Sequence, residues 1–147
     1  MSPYEPFRPR LARLVALVVA ALLGVGTLAL VLVLPRLYDR DVTLDVVGFL
    51  LVGGFGVYFC WRQSSVAAYP DQDGLMVRNL LLTRRLAWPE IVLVRFGPGD
   101  PWARLDLADG DTVAVMGIQR SDGARAEREA ARLAALVRAH GEAEESR

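Results

Sequence analysis

The 147-residue sequence contains no lysine, one cysteine and one histidine. A lone Cys60 excludes an intrachain disulfide and a cysteine-based metal cluster. The 17 arginines balance 17 acidic residues, so the chain lacks the basic excess of a nucleic-acid-binding protein. No glycine-rich phosphate loop and no nucleophile–base motif is present. The sequence therefore predicts a protein that is not an enzyme and that uses no cofactor or metal.

Apolar residues, in contrast, make up 53% of the chain and are concentrated in its first 61 residues. Between Arg13 and Arg36 no charge interrupts the sequence, and such a run can cross the ~30 Å hydrocarbon core of a bilayer as one helix. We predict transmembrane helix 1 over residues 11–34. It is expected to be retained, because the run is longer than the apolar region of a signal peptide and ends without a small-x-small cleavage site.

A second apolar run covers residues 46–61 and predicts transmembrane helix 2 over residues 42–61. Residues 35–41 then form a short external turn, so the two helices make an antiparallel hairpin. Arginines are more frequent before the first helix than in the turn, and this bias places residues 1–10 and the C-terminus in the cytoplasm. The predicted location is the cytoplasmic membrane, as a multi-pass protein.

Small residues recur on both predicted helices. Ala16, Ala20 and Gly24 repeat every four residues on one face of the first helix, and Gly53 and Gly56 form a groove on the second. Small residues at this spacing allow helices to approach closely. Two interpretations follow: the faces pack within the hairpin, or they support self-association through Ala16, Ala20 and Gly24.

Beyond residue 64 the pattern changes to short alternating segments separated by turn residues, which is typical of strands. A Ser-Asp-Gly sequence at 121–123 is expected to cap a helix that ends at His140 and has one apolar stripe. We predict an α+β domain over 64–140, an antiparallel sheet or barrel closed by one amphipathic helix, and a disordered tail over 141–147. The candidate strands are 65–69, 74–79, 82–88, 91–96, 103–108 and 112–118.

Several short motifs in this half carry a family resemblance. They are DGL followed by VRN, Trp88-Pro89-Glu90-Ile91, a Leu-Asp-Leu-x-Asp-Gly hairpin, and Ile118-Gln119 before the helix. With them, residues 73–137 resemble a bacterial PH-like domain, in particular the low-molecular-weight antigen 6 type of actinobacterial membrane proteins. The resemblance implies a PH-type sheet with a C-terminal helix at the cytoplasmic membrane, and it implies no established activity.

Arg78, Arg84 and Arg85 form part of the densest basic group in the domain. They are either binding residues for anionic lipid headgroups or solvated strand positions paired with nearby acids. The loop over residues 70–74 carries two acids and no base, which argues against inositol phosphate binding there. Aspartates in this loop and at 109–111 are interpreted as turn residues and not as calcium ligands.

Two functions are compatible with these features. The first is a membrane-anchored PH-like interaction or scaffold module, which binds a protein partner through an exposed strand edge or the groove beside the helix. The second is a sensor of anionic lipid headgroups through the basic strand patch. Trp88 is expected in the core and His140 at the end of the helix, without a catalytic role.

Overall fold

The computed structural model describes the backbone of residues 4–145 and the side chains of residues 4–141. The chain divides into two compact units. One unit is residues 13–64, and the other combines residues up to 12 with the residues from 65 onward. The second unit, called the domain below, therefore contains segments from both sides of the apolar half.

The helical unit contains most of α1, Leu11–Leu37, and all of α2, Thr43–Ser64. Both are long and apolar enough to cross a membrane. Helix α1 extends three residues past its predicted end, so the connection is shorter than the predicted turn. A Cβ atom built on Gly53 would lie 2.0 Å from Thr27 Oγ1, and one on Gly24 would lie 3.8 Å from Val57. The small residues therefore allow the two helices of the hairpin to pack closely.

The domain has six strands, β1 Ala67–Pro70, β2 Gly74–Arg78, β3 Thr83–Ala87, β4 Ile91–Arg95, β5 Trp102–Leu107 and β6 Thr112–Gln119. They form two three-stranded antiparallel sheets, with strand orders β1-β2-β3 and β4-β5-β6. Each strand overlaps one predicted candidate, and no end differs from the prediction by more than two residues. The alternation of apolar and polar residues explains the agreement: Ala103, Leu105 and Leu107 point into the core as their spacing predicts.

A C-terminal helix, α3 (Ala124–Glu145), supplies the third side of the core. Its buried stripe includes Ala126, Leu133 and Val137, which lie on one helical face at the predicted spacing. The helix continues five residues past the predicted end at His140. The predicted tail is therefore helical as far as 145, because its Ala and Glu residues favour propagation of a helix that has already formed. Residues 146 and 147 lie outside the described part.

The N-terminal segment is part of the domain, which the predicted boundary at residue 64 did not include. Phe7 is fully buried and forms an antiparallel bridge with Ala68, with backbone N···O distances of 2.8 and 2.9 Å. The Arg132 guanidinium lies 3.8 Å from the Phe7 ring centroid and donates a hydrogen bond to the Glu5 carbonyl oxygen. Residues 1–10 were predicted only as a cytoplasmic flank, because their partners lie more than 60 residues away in sequence.

Gly117 in β6 makes room for this segment. A Cβ atom at this position would lie 2.7 Å from the Phe7 carbonyl oxygen and 2.9 Å from the Ala68 nitrogen. Any larger residue would separate β6 from the Phe7–Ala68 bridge. The N-terminal segment therefore depends on a glycine in the last strand.

Asp122 has a role that was not predicted. A 3₁₀ turn, Arg120–Asp122, precedes α3, and the Asp122 carboxylate accepts hydrogen bonds from the backbone N–H groups of Arg10 and Leu11 at 2.8 and 2.9 Å. Its carboxylate therefore caps the N-terminus of α1, where a negative charge is stabilising. The Ser-Asp-Gly sequence also directly precedes α3 as predicted, and there the Gly123 carbonyl oxygen accepts from the backbone N–H groups of Ala126 and Glu127. The long-range partner was not visible in the local Ser-Asp-Gly pattern.

Candidate functional site

The three predicted arginines do not share one face of the sheet. The register pairs Arg78 with Thr83 and Arg85 with Met76, which places both arginines on the outer face of β2 and β3. Arg84 pairs with Val77, whose side chain is buried, and therefore lies on the core face. Adjacent strand residues point to opposite faces, so Arg84 and Arg85 cannot act together on one surface.

Two of these arginines already have acidic partners. Arg84 reaches the β5–β6 turn, where its Nη atoms lie 3.8 Å from Asp109 and 3.4 Å from Asp111. Arg85 Nη2 lies 2.9 Å from Asp71 Oδ2. These exposed pairs match the alternative in which the arginines are solvated and paired.

Arg78 instead belongs to a cluster that the sequence did not reveal. Its guanidinium carbon lies 5.9 Å from the centroid of the Tyr69 ring, and that of Arg8 lies 5.5 Å from the same ring. Neither arginine takes part in the ion pairs described between residues 4 and 141. We call Arg8, Tyr69 and Arg78 the Arg–Tyr cluster. Arg8 is exposed and the other two residues are half-buried.

No local pattern in the sequence identifies Arg8 for this role. It is 61 positions from Tyr69 with both apolar helices between them, and locally it is only a positive charge flanking the first helix. The Phe7–Ala68 bridge brings the two residues together. Two guanidinium groups around one aromatic ring make a compact cationic surface that is suited to phosphate oxygens.

The β1–β2 turn, which the sequence predicts as a turn and not as a calcium loop, is organised by Asp71. Its Oδ1 atom accepts hydrogen bonds from the backbone N–H groups of Asp73 and Gly74, both at 2.9 Å. The Asp73 N–H, followed by that of Gly74 and the charge of Arg85, holds the pKa of the Asp71 carboxyl below its ordinary value. Asp71 is therefore a turn residue whose charged form is stabilised by its own loop.

Trp88 and His140 form a structural contact. Trp88 is buried, its indole N–H donates to the Asp71 carbonyl oxygen at 3.0 Å, and its ring stacks on that of His140 with centroids 4.7 Å apart. His140 Nε2 lies 3.1 Å from the hydroxyl oxygen of Tyr4. Because α3 continues beyond His140, this residue does not lie in the last turn as predicted; it links α3 to the N-terminal segment.

The β4 strand provides a second surface. It is an edge strand of its sheet, and the side chains of Val92 and Leu93 are 64% and 52% exposed. The register with β5 shifts between Ile91 and Leu93, which is typical of a bulge. Edge strands with exposed apolar residues are sites where another chain can pair.

No group of three or more His, Cys, Asp or Glu side chains that could hold a metal ion occurs among the described residues. The polar side chains discussed above are engaged in turns, ion pairs and ring contacts. Two surface features stand out among the described residues: the Arg–Tyr cluster and the β4 edge.

Comparison with known proteins agrees with this architecture. Residues 70–136 match a family model described as a bacterial PH domain, so the predicted resemblance to bacterial PH domains is confirmed; the narrower antigen 6 type is not. Uncharacterized proteins of Mycobacterium bovis and of two strains of Mycobacterium tuberculosis are 38% identical over 86 residues, covering 58% of this chain. The chain spans about half the length of these curated relatives, 53% of each. No solved structure gives a significant match.

Proposed function

We propose that this bacterial PH domain is an interaction module without catalytic activity, held at the cytoplasmic membrane by two spanning helices. In this proposal the domain faces the cytoplasm and binds a protein partner through the edge of β4. The proposed function is partner binding, and the two helices determine that it takes place at the membrane.

The dimensions of the helices support the anchoring. At 1.5 Å per residue, the 27 residues of α1 and the 22 residues of α2 correspond to about 40 Å and 33 Å, enough for the ~30 Å apolar core of a bilayer. Their outward side chains are apolar and exposed, as with Leu22 and Val52 at 69% and 74%. In water such a surface is unfavourable, whereas lipid chains would cover it.

The domain is built from segments that lie before and after the two helices, which supports the prediction that both segments are on the same side of the membrane. Residues 4–10 precede α1 and the residues from 65 onward follow α2, yet both belong to one compact unit. A folded unit lies on one side of a membrane, so α1 and α2 together must cross it an even number of times. The arginines before α1 favour the cytoplasmic side.

The observation that carries the partner-binding proposal is the exposed apolar pair of β4. Val92 and Leu93 lie on an edge strand, where a partner strand can add to the sheet through backbone hydrogen bonds. The exposed Val92 and Leu93 side chains would then contribute specificity.

Site-specific photo-crosslinking tests this proposal in the full chain in its native membrane. A photoreactive residue at Val92 should give one discrete adduct with a protein, and L93D should reduce that adduct at least fivefold. The matched control is a photoreactive residue at Arg128, an exposed position on α3. Equal adducts at both positions, or none at Val92, would contradict binding at the β4 edge.

Sensing of anionic lipid headgroups is the second candidate, and the Arg–Tyr cluster is the observation that favours it. Arg84 and Arg85 have acidic partners, which leaves Arg78 as the residue of the predicted patch best suited to lipid phosphate. Replacing Arg78 should therefore weaken interaction with anionic lipid more than replacing Arg85.

A further inference from the structure

We propose that the β2–β3 turn, residues 79–82, is a bilayer-docking tip that inserts Leu81 and Leu82 between anionic lipids while Arg8 and Arg78 bind their phosphates. This inference rests on the membrane anchoring proposed above. It adds a second, peripheral contact between the domain and the membrane. The occupant to which it commits is an anionic bilayer surface.

The turn exposes the most accessible large apolar side chains described in the domain. Leu81 is 81% exposed and Leu82 is 76% exposed. Two adjacent leucines at a strand turn are unfavourable in water and contribute nothing to the core. Apolar side chains at such a tip gain free energy when they enter the interfacial region of a bilayer.

Asn79 holds the turn in a fixed shape. Its backbone N–H donates to the Leu82 carbonyl oxygen at 2.8 Å, and its side-chain amide donates to the Ala114 carbonyl oxygen at 2.7 Å. The Asn79 side-chain oxygen accepts from the Met116 N–H at 3.2 Å. The leucines are therefore presented on a turn that is pinned to β6, so little ordering entropy is lost on docking.

The strand register places this turn at the end of the sheet where the chain leaves the domain for the helices. Ala67, at the start of β1, pairs with Arg78 at the end of β2, so the chain coming from residue 65 meets the sheet beside the 79–82 turn. The N-terminal segment bridges Ala68 in the antiparallel sense and continues from there toward residue 12. Both connections to the helices therefore lie at the end that carries Leu81 and Leu82.

Arg8 and Arg78 both lie a short distance from the points where the chain leaves the domain for the helices. Arg78 is opposite Ala67, which follows residue 65 by two positions, and Arg8 precedes residue 12 by four. A chain spans at most about 3.5 Å per residue, so both arginines lie within roughly 15 Å of the points where the chain leaves the domain. With the helices in the bilayer as proposed, this short spacing keeps both arginines near the membrane surface.

Charge complementarity supports an anionic surface as the partner. Arg8 and Arg78 flank the Tyr69 ring and have no acidic partner among the described ion pairs, unlike Arg84 and Arg85. Aromatic and arginine side chains are both favourable at the headgroup level. At the opposite end of the same sheet, the β1–β2 turn carries Asp71 and Asp73, which such a surface would repel.

The test uses the full chain in nanodiscs, with Cys60 replaced by Ala and an environment-sensitive fluorophore on one introduced cysteine. L81C reports on the tip, and Q72C, an exposed position in the turn at the opposite end, is the matched control. L22C, on the exposed face of α1, reports on anchoring. Lipids with brominated acyl chains quench a fluorophore only when it is close to the apolar core.

In discs containing phosphatidylglycerol, the fluorophore at position 81 should be quenched at least threefold more than the one at position 72. The combined substitutions R8S and R78S should reduce this quenching by at least half, and discs of phosphatidylcholine alone should do the same.

Quenching at position 22 without quenching at position 81 would overturn the docking tip and leave the anchoring intact. If quenching at position 81 changes neither with the arginine substitutions nor with the lipid charge, the phosphate contact is overturned. An unquenched position 22 would overturn the anchoring itself, and the tip with it.

Discussion

At the scale of single residues, Asp71 connects three parts of the domain. Its carboxylate closes the β1–β2 turn and pairs with Arg85 on β3, and its carbonyl oxygen accepts from Trp88. The sequence pattern predicted a turn here because Asp and Gly favour one. It did not predict the links to Arg85 and Trp88, since those depend on strand register and on the packing of a side chain 17 residues away.

We expect D71A to lower the melting temperature of the domain by about 5 °C at pH 7, since hydrogen bonds of this kind contribute roughly 1 kcal/mol. The folded-state pKa of Asp71 lies below its ordinary value of 3.8. The stabilisation that depends on the Asp71 charge is therefore complete above the pKa of Asp71 in the unfolded chain. It is lost as the pH falls through the lower pKa of Asp71 in the folded domain. The difference between wild type and D71A should narrow below about pH 4.

Circular dichroism melts of the full chain in detergent, from pH 7 down to pH 3, would measure this difference. D73A is the matched control, because Asp73 lies in the same turn with an exposed side chain. A difference in melting temperature that stays constant or widens toward pH 3 would contradict the assigned role of the Asp71 charge.

At the scale of elements, the close packing of α1 and α2 depends on which glycine faces the partner helix. Gly53 is buried and meets Thr27, while a Cβ atom on the neighbouring Gly54 has nothing within 4 Å. The sequence predicted close approach from small-residue spacing, and it left open whether these faces serve the hairpin or self-association. Gly24 lies beside Val57 within the hairpin, and self-association through Ala16, Ala20 and Gly24 stays a prediction.

We expect G53V to destabilise the hairpin by about 1–3 kcal/mol, because the added carbons would collide with Thr27 and separate the helices. G54V has the same chemistry on an open face and should leave the hairpin stability almost unchanged. Thermal unfolding of both variants in the same detergent would measure the effect. Equal stability of the two variants would show that the helices do not pack through Gly53.

The strands and α3 were predictable because each has its own local period. Ala103, Leu105 and Leu107 alternate inward, and α3 buries one stripe. The Arg–Tyr cluster was not predictable, because Arg8 and Tyr69 are separated in the sequence by the two apolar helices. The exposed leucines at the β2–β3 turn were also not identified, since a run of three apolar residues there resembles the beginning of a strand.

At the scale of the whole molecule, the domain is completed by a segment that precedes the helices. Phe7 is fully buried, and its backbone pairs with Ala68. Residues 64–147 therefore lack a piece of their own core. The apolar helices α1 and α2 are an insertion within the domain and do not simply precede it.

We expect F7A to destabilise the domain by about 3–5 kcal/mol, as is typical of a buried phenylalanine replaced by alanine. Because marginal domains have only 5–15 kcal/mol of total stability, the variant should unfold at much lower denaturant concentration. Urea unfolding of the full chain in detergent, followed by hydrogen exchange of β1, would measure it. E5A, at an exposed side chain of the same segment, should change little; an F7A domain as stable as E5A would contradict the docked segment.

We propose that the N-terminal segment and the domain share the cytoplasmic side of a membrane that α1 and α2 cross twice. The most direct measurement is labelling of single cysteines in intact cells with a membrane-impermeant maleimide, in a C60A background. D39C in the turn between the helices should be labelled from outside, while Q72C in the domain and E5C in the N-terminal segment should be labelled only after permeabilisation. Labelling of Q72C in intact cells, or opposite behaviour of Q72C and E5C, would contradict the claim.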